Sequence, residues 1–482
     1  MNTQFLRLKL LKRLSAPFYH FLIGLLVSFH PASFVNAATP PDLGSSDLIE
    51  YNIELEQKLG RAFSTALHTQ YDLNYDPDVV AYIRKIGHEM ASQTGKPRPF
   101  RFYVIDNPSI NAFAGPNGII GIHTGLISAA KSEDELAAVI AHEIAHITQN
   151  HLSRRHETNT KQSSINTFAT LLAAMLIGMY DSSAVYPTLI AGMSLDIEQQ
   201  LKNSRLHESE ADHIGIKFLS QAGYNPHAMG YFFKRLAQES QNNPAQIPEI
   251  LRSHPVTERR IAESENRAEN LPAQQPKKHN NDLLLIQLRL KQTHPDANSS
   301  LSDNALTRDE ICYKNSLKSA NNTFNIQCLQ TLVKNNPNHI MYTTQLLHTI
   351  VQRELNAPNL IQFANRQASY LMELYPDNTA ILMHYANFLL YQNSTKEAIE
   401  LLTTHTQNQR YTYQAYKKLS EIYAQQKQIA EAYYFLALAQ FNIGNLKRTR
   451  YLLKQAEKIA STSLKQQISF FKHKNDKLLK DK

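Results

Sequence analysis

The segment His142-Glu-Ile-Ala-His146 constrains this 482-residue chain more than any other feature. It lies in a helical pattern running from Glu133 to Leu152, so His142 and His146, four positions apart, project from one face. Two imidazoles so placed reach a single divalent ion with nitrogen–zinc distances of about 2.0–2.1 Å. Glu143 is one step round the helix, within reach of water on such an ion but not placed as a ligand. A carboxylate there can take a proton from water whose pKa the metal lowers to about 7. Apolar Val139, Ile140, Ile144 and Ala145 surround the pair, which argues for a buried helix rather than a surface helix with coincidental histidines. Zinc catalysis needs a third protein ligand and an open position. A second charged helix, predicted over Glu198 to Ala222, offers Glu208-Ser-Glu-Ala-Asp212. Glu208 and Asp212 share a face, whereas Glu210 points elsewhere and stays the lesser candidate. His207 and His213 read as surface residues beside the site.

The rest of the chain reads as mainly helical, with little sheet. Glycine numbers only 15 and tryptophan is absent, and helical spacing recurs from residue 50 to 95. Strands are expected at Phe100–Ile105 and Gly118–His123, separated by the Asn107-Pro108 and Pro116-Asn117-Gly118 turn signals. Between Gln162 and Leu195 the one charged residue is Asp181, and each apolar piece flanking it is short for a membrane crossing of about 20 residues. This stretch reads as buried or lid-forming helices, with a membrane-embedded hairpin as the alternative. Residues 270–281 are polar, proline-containing and unpatterned, and form the expected linker. Beyond them Ala364, Ala398 and Ala432 recur every 34 residues, where close helix pairs leave no room for a larger side chain. That period resembles degenerate tetratricopeptide repeats, whose concave face suits proteins or peptides.

The N-terminus accounts for much of the net charge of +8. Arg7, Lys9, Lys12 and Arg13 precede a short apolar run, Phe18–Phe29, and small residues ending at Ala37-Ala38. This is the pattern of a cleaved export signal. Loss of those four positive charges leaves +4, which gives no support for nucleic-acid binding. Cys312 and Cys328 could pair in an oxidising compartment or stay as buried thiols; their spacing suits neither a metal nor a redox motif.

The His-Glu-x-x-His helix followed by a helix with Glu-x-x-x-Asp resembles the HtpX-like and CAAX-prenyl-protease-like gluzincins, peptidase family M48. The resemblance implies one zinc ion per chain, with His142, His146 and Glu208 as ligands and Glu143 as general base. It implies that Asp212 orients a ligand histidine. Asn111-Ala-Phe-Ala114, followed by Gly118–Ile127, resembles the family's edge-strand region, and makes Asn111 and Ala112 candidates for holding an extended substrate. Ser253-His254-Pro255 with Arg260 resembles its late His-Pro segment. By that match Arg260 or His254 stabilises an oxyanion, and His254 can also occupy the open metal position in a latent state.

The expected organisation is therefore a signal peptide over 1–37, a gluzincin-type peptidase domain with a small sheet over 38–269, a linker over 270–281 and an α-helical repeat solenoid over 282–482. The order of parts resembles periplasmic members of the family that act in outer-membrane quality control. It implies a periplasmic zinc endopeptidase with a chaperone-like repeat domain, acting on unfolded or stalled proteins and docking on outer-membrane assembly machinery. The rivals are a mostly latent protease serving as a repeat-based scaffold, and a membrane-embedded metalloprotease.

Overall fold

The computed structural model describes residues 53–95, 98–154, 197–242, 247–272, 277, 280–293, 306–318, 323–408 and 412–480. Residues 1–37, read above as an export signal, and the apolar stretch 165–195 lie outside them. Among the described residues, no helix is long and apolar enough to cross a membrane.

Two helices open the described chain, α1 (Ile53–Gln70) and α2 (Pro77–Ala91). The second starts where Asp76 accepts hydrogen bonds from the Asp78 and Val79 amides and Pro77 fixes the first turn. Three strands follow: β1 (Arg101–Ile105), β2 (Ala112–Gly115) and β3 (Ile119–His123). β3 is central, parallel to β1 and antiparallel to β2, so β2 is an outer strand of the sheet. The β2–β3 turn requires Gly118: its φ is +73°, and a Cβ there would stand 1.8 Å from the Pro99 carbonyl oxygen.

Next come α3 (Thr124–Ala129) and α4 (Glu133–Thr148). Ser132 caps α4 by accepting from the Glu135 amide, and Glu133, Asp134 and Glu135 fill its first turn, where the helix dipole favours negative charge. The N-terminal half ends with α5 (Ile197–Gln221), α6 (Ala228–Asn242), α7 (Glu249–Ser253) and α8 (Glu258–Glu269). At Gly215 a Cβ would lie only 3.2 Å from the His142 amide nitrogen. That close approach seats α5 on α4 and brings its carboxylates to the histidines.

The C-terminal half is helical throughout its described residues: α9 (Asp282–Thr293), α10 (Arg308–Leu317), α11 (Thr323–Asn335), α12 (Ile340–Gln352), α13 (Pro358–Leu374), α14 (Thr379–Tyr391), α15 (Thr395–Asn408), α16 (Tyr413–Gln425), α17 (Ile429–Asn442), α18 (Leu446–Ile459), α19 (Thr462–Lys474) and α20 (Asp476–Lys480). Ala364, Ala398 and Ala432 are buried on α13, α15 and α17, every second helix, as a two-helix repeat demands. A disulfide joins Cys312 on α10 to Cys328 on α11 (S–S 2.05 Å), realising the paired alternative. The mainly α architecture, with a small sheet and a helical repeat region, is the expected one.

Residues 51–482 form one compact unit. A single apolar cluster runs from Ile83 and Ile140 through Leu219 to Ile286, Leu347 and Phe388, crossing from the N-terminal half into the C-terminal helices. Gln287 on α9 donates to the Ile127 and Ala130 carbonyl oxygens at 2.9 and 2.8 Å, satisfying acceptors left open at the end of α3.

Candidate metal centre

His142 and His146 are buried on α4, which is enclosed nearly all round, and Glu208 reaches them from α5. His254, just after α7, completes the group. One donor atom from each of the four residues lies within 4.8 Å of all the others. His146 Nε2 stands 3.0 Å from His142 Nε2, and His254 Nδ1 stands 3.3 Å from His142 Nε2. Glu208 Oε2 lies 3.4 Å from His142 Nε2 and 3.0 Å from His254 Nδ1, while Oε1 lies 3.6 Å from His146 Nε2. Ligands at about 2.1 Å in a tetrahedron stand roughly 3.4 Å apart, the spacing of this group. The donor set, three imidazoles and a carboxylate, suits zinc.

The residues behind the donors fix which ring nitrogens face inward. Asp212 Oδ1 lies 3.0 Å from His142 Nδ1, leaving Nε2 to the centre. Burial works against charge on His142, yet Asp212 and Glu208 outweigh it and raise its pKa to about 10. The cluster therefore demands positive charge at its centre, which a cation supplies better than a proton. Burial holds His146 well below the usual imidazole value, as a neutral ligand should be. Glu208 is held well below the usual carboxylate range: burial opposes its charge, but His254 and His146 prevail.

Arg260 is buried and committed to these carboxylates. Its Nε and Nη2 donate to Asp212 at 2.8 Å each, and Nη1 donates to the Pro255 carbonyl oxygen and lies 3.2 Å from Glu208. The guanidinium stacks 4.7 Å from the Phe233 ring centre. In this arrangement Arg260 is held by Asp212 and also contacts Glu208. Glu143 is fully buried with its Oε1 3.5 Å from His254 Nε2. Burial raises its pKa, against the pull of His254 and His142 and of the Ala114 backbone on β2. Ala112 lies on β2 paired with Ile122, and the carbonyl oxygen of buried Asn111 accepts from the His123 amide at 3.1 Å.

Two histidines depart from the sequence reading. His207 is buried, not a surface residue, because its ring stacks 4.4 Å from that of His151; His213 is exposed. His151, to which the sequence assigns no role, backs the group from behind. Its Nδ1 stands 2.9 Å from His146 Nδ1, and its Nε2 lies 3.1 Å from Glu210, which also accepts from Arg154 at 2.8 Å. Glu210 thus backs a histidine instead of facing the centre. The fold places His151 there through Asn150, which takes a left-handed φ of 54° and turns the histidine back under the end of α4.

Comparison with known proteins agrees with this geometry. Residues 77–268 match the model of peptidase family M48. The chain is 37% identical over 233 residues to the putative beta-barrel assembly-enhancing protease of Vibrio cholerae, covering 48% of each chain. It is 33% identical over 242 residues to the beta-barrel assembly-enhancing protease of Escherichia coli, covering 50% of this chain and 49% of that one. It is 30% identical over 210 residues to the mitochondrial metalloendopeptidase OMA1 of Schizosaccharomyces pombe, covering 43% and 58%. The chain spans about half the length of these bacterial relatives. The donor group on α4, α5 and the turn after α7 lies wholly inside the stretch that matches, so residues 77–268 of this chain are similar to the peptidases of family M48.

Proposed function

We propose that this chain is an exported, periplasmic zinc endopeptidase that cleaves unfolded or stalled proteins during outer-membrane protein assembly. Its C-terminal helices, read as tetratricopeptide-like, act as a chaperone-like recognition surface. The observation that carries the catalytic reading is the convergence of His142, His146 and Glu208 at zinc-ligand spacing, with buried Glu143 beside them. The names of the bacterial relatives support the assembly role.

His142, His146 and Glu208 would hold zinc, which supplies Lewis-acid activation of water and of the scissile carbonyl. Glu143 takes the proton of the attacking water; its raised pKa suits a base that must later give the proton to the leaving amine. Asp212 and His151 keep the inner nitrogens of His142 and His146 bare, and Arg260 anchors Asp212. The outer strand β2 lies along Glu143 and offers main-chain groups to an extended substrate, with Asn111 and Ala112 at its start.

His254 makes this a latent arrangement. It fills the fourth position of the donor group, where an open site is needed for hydrolysis. The same segment is tied to the entry of β2: the Ile250 amide donates to the Ile110 carbonyl oxygen at 3.1 Å, and Ser109 Oγ donates to Glu249 at 2.7 Å. Displacing one short segment therefore frees both the metal position and the start of the outer strand.

Cleavage of a disordered protein tests the reading. Glu143→Gln should retain zinc and lose about 10²–10⁴-fold in turnover. Undiminished cleavage by that variant, with contamination excluded, refutes the hydrolytic role. His254→Ala should cleave faster than the wild type; no cleavage by either would favour a repeat-based scaffold.

A further inference from the structure

A second cavity, of about 1040 Å³, lies away from the metal centre, and none of the metal-group residues lines it. α1, α2 and β1 form one wall, and the repeat helices with the turns preceding α12 and α14 form the other. Its volume exceeds the needs of an inorganic anion and matches the range that takes sizeable ligands, about 300–1,000 Å³.

Its charges are unevenly matched. Asp78 is spent on Arg289 and His384 (3.1 and 2.9 Å), and Asp282 on Lys85 at 3.3 Å. Asp377 is exposed. Arg84, half-buried in the cavity wall, has no carboxylate within ion-pair distance and no hydrogen-bond acceptor among the described residues. Three imidazoles feel its charge. Burial first, then Arg101, Arg84 and Lys417, lower His68 to about 4; burial and Arg84 lower His88. Burial also lowers His405, with Arg84 contributing. Charge on these histidines is thus disfavoured, and Arg84 is the cavity cation without a carboxylate partner among the described residues. Leaving a guanidinium in such a place without a counter-charge is costly, and a carboxylate answers it with two parallel hydrogen bonds.

The wall beside it is aromatic. The His68 ring lies 4.6 Å from Tyr413 and 5.4 Å from Tyr103, and Tyr75 lies 6.0 Å from Tyr413. Tyrosine with arginine is the combination on which protein recognition most often depends, since both give large contact area with polar tips.

We propose that this cavity binds an extended acidic polypeptide segment, with a carboxylate on Arg84 and neighbouring apolar side chains against Tyr75, Tyr103 and Tyr413. The site would recognise a client where the peptidase half meets the repeats, independently of the metal chemistry.

The test uses the full mature chain carrying Glu143→Gln, so that the probe stays intact. Binding of a fluorescent disordered peptide rich in glutamate, with interspersed leucine and phenylalanine, is compared with that of its glutamine counterpart by anisotropy. The acidic peptide should bind at least about tenfold more tightly, a difference of about 1.4 kcal/mol. Arg84→Met should abolish that preference and Arg84→Lys keep part of it, with a melting temperature for Arg84→Met no lower than that of the parent. Should Arg84→Met fail to fold, hydrogen exchange on the parent chain decides: the acidic peptide should slow exchange in α2 and α16. Equal affinity for the two peptides, a preference that survives Arg84→Met, or protection confined to other elements would overturn the proposal. So would displacement of the peptide by inorganic phosphate or a nucleotide at comparable affinity, which would mark a small-anion site.

Discussion

Two buried charged clusters in this molecule look alike in composition and differ in what they leave unsatisfied. Around Asp78, at the start of α2, every donor meets an acceptor. Thr344 donates to Oδ1 at 2.6 Å, His384 Nε2 lies 2.9 Å from Oδ2, and Arg289 contacts both Asp78 and Asp76 while donating to Gln345. At the metal centre, ring nitrogens face ring nitrogens at 3.0–3.3 Å, with a carboxylate at the same spot. The first cluster is closed and joins the peptidase half to α9, α12 and α14. The second is complete only around a cation. Burial of charge marks neither as functional; convergence of lone pairs does.

The largest effect expected on this contrast is that of Glu143→Gln, whose loss of about 10²–10⁴-fold in turnover should leave unfolding by denaturant unchanged. The reverse pattern belongs to Arg289→Met. Removing one partner of a buried ion pair costs about 3–5 kcal/mol, so its denaturation midpoint should fall sharply while zinc stoichiometry is retained. If Arg289→Met instead lost zinc without losing stability, the two clusters would not be separate in role.

His151→Ala should act between these extremes. By freeing His146 Nδ1 it should weaken zinc affinity about 10–100-fold in competition with a chelator, with His151→Gln recovering part. An unchanged affinity would make His151 a packing residue. The smallest effect is graded with pH. Burial opposes the charge of Asp78, but Arg289 and His384 hold its pKa below the usual range. Its contribution to stability is then fully present above about pH 4 and is lost as pH falls through the lower folded value. Acid titration of stability should show this loss in the wild type and much less of it in Arg289→Met.

The sequence made the metal helix legible because two histidines four apart on an apolar helix have few other uses. It made the second helix legible through the Glu208–Asp212 spacing, and the 34-residue alanine period announced paired helices at Ala364, Ala398 and Ala432. His151 and His207 were not legible, since their contacts depend on a left-handed residue at Asn150 and on the approach of α5, neither of which has a local period. The same holds for Arg260: its charge suited an oxyanion, and only the folded chain reveals its pairing with Asp212. Asp78 lies 211 positions from Arg289 and 306 from His384, so their union follows from tertiary packing alone.

Zinc titration of the purified chain by calorimetry, with the bound metal counted by elemental analysis, bears most directly on the central claim. The account predicts one zinc ion per chain, abolished by Glu208→Ala or by His142→Ala with His146→Ala, each at retained helical content. Binding of the same stoichiometry and affinity in those variants, or no zinc in the wild type, would contradict it.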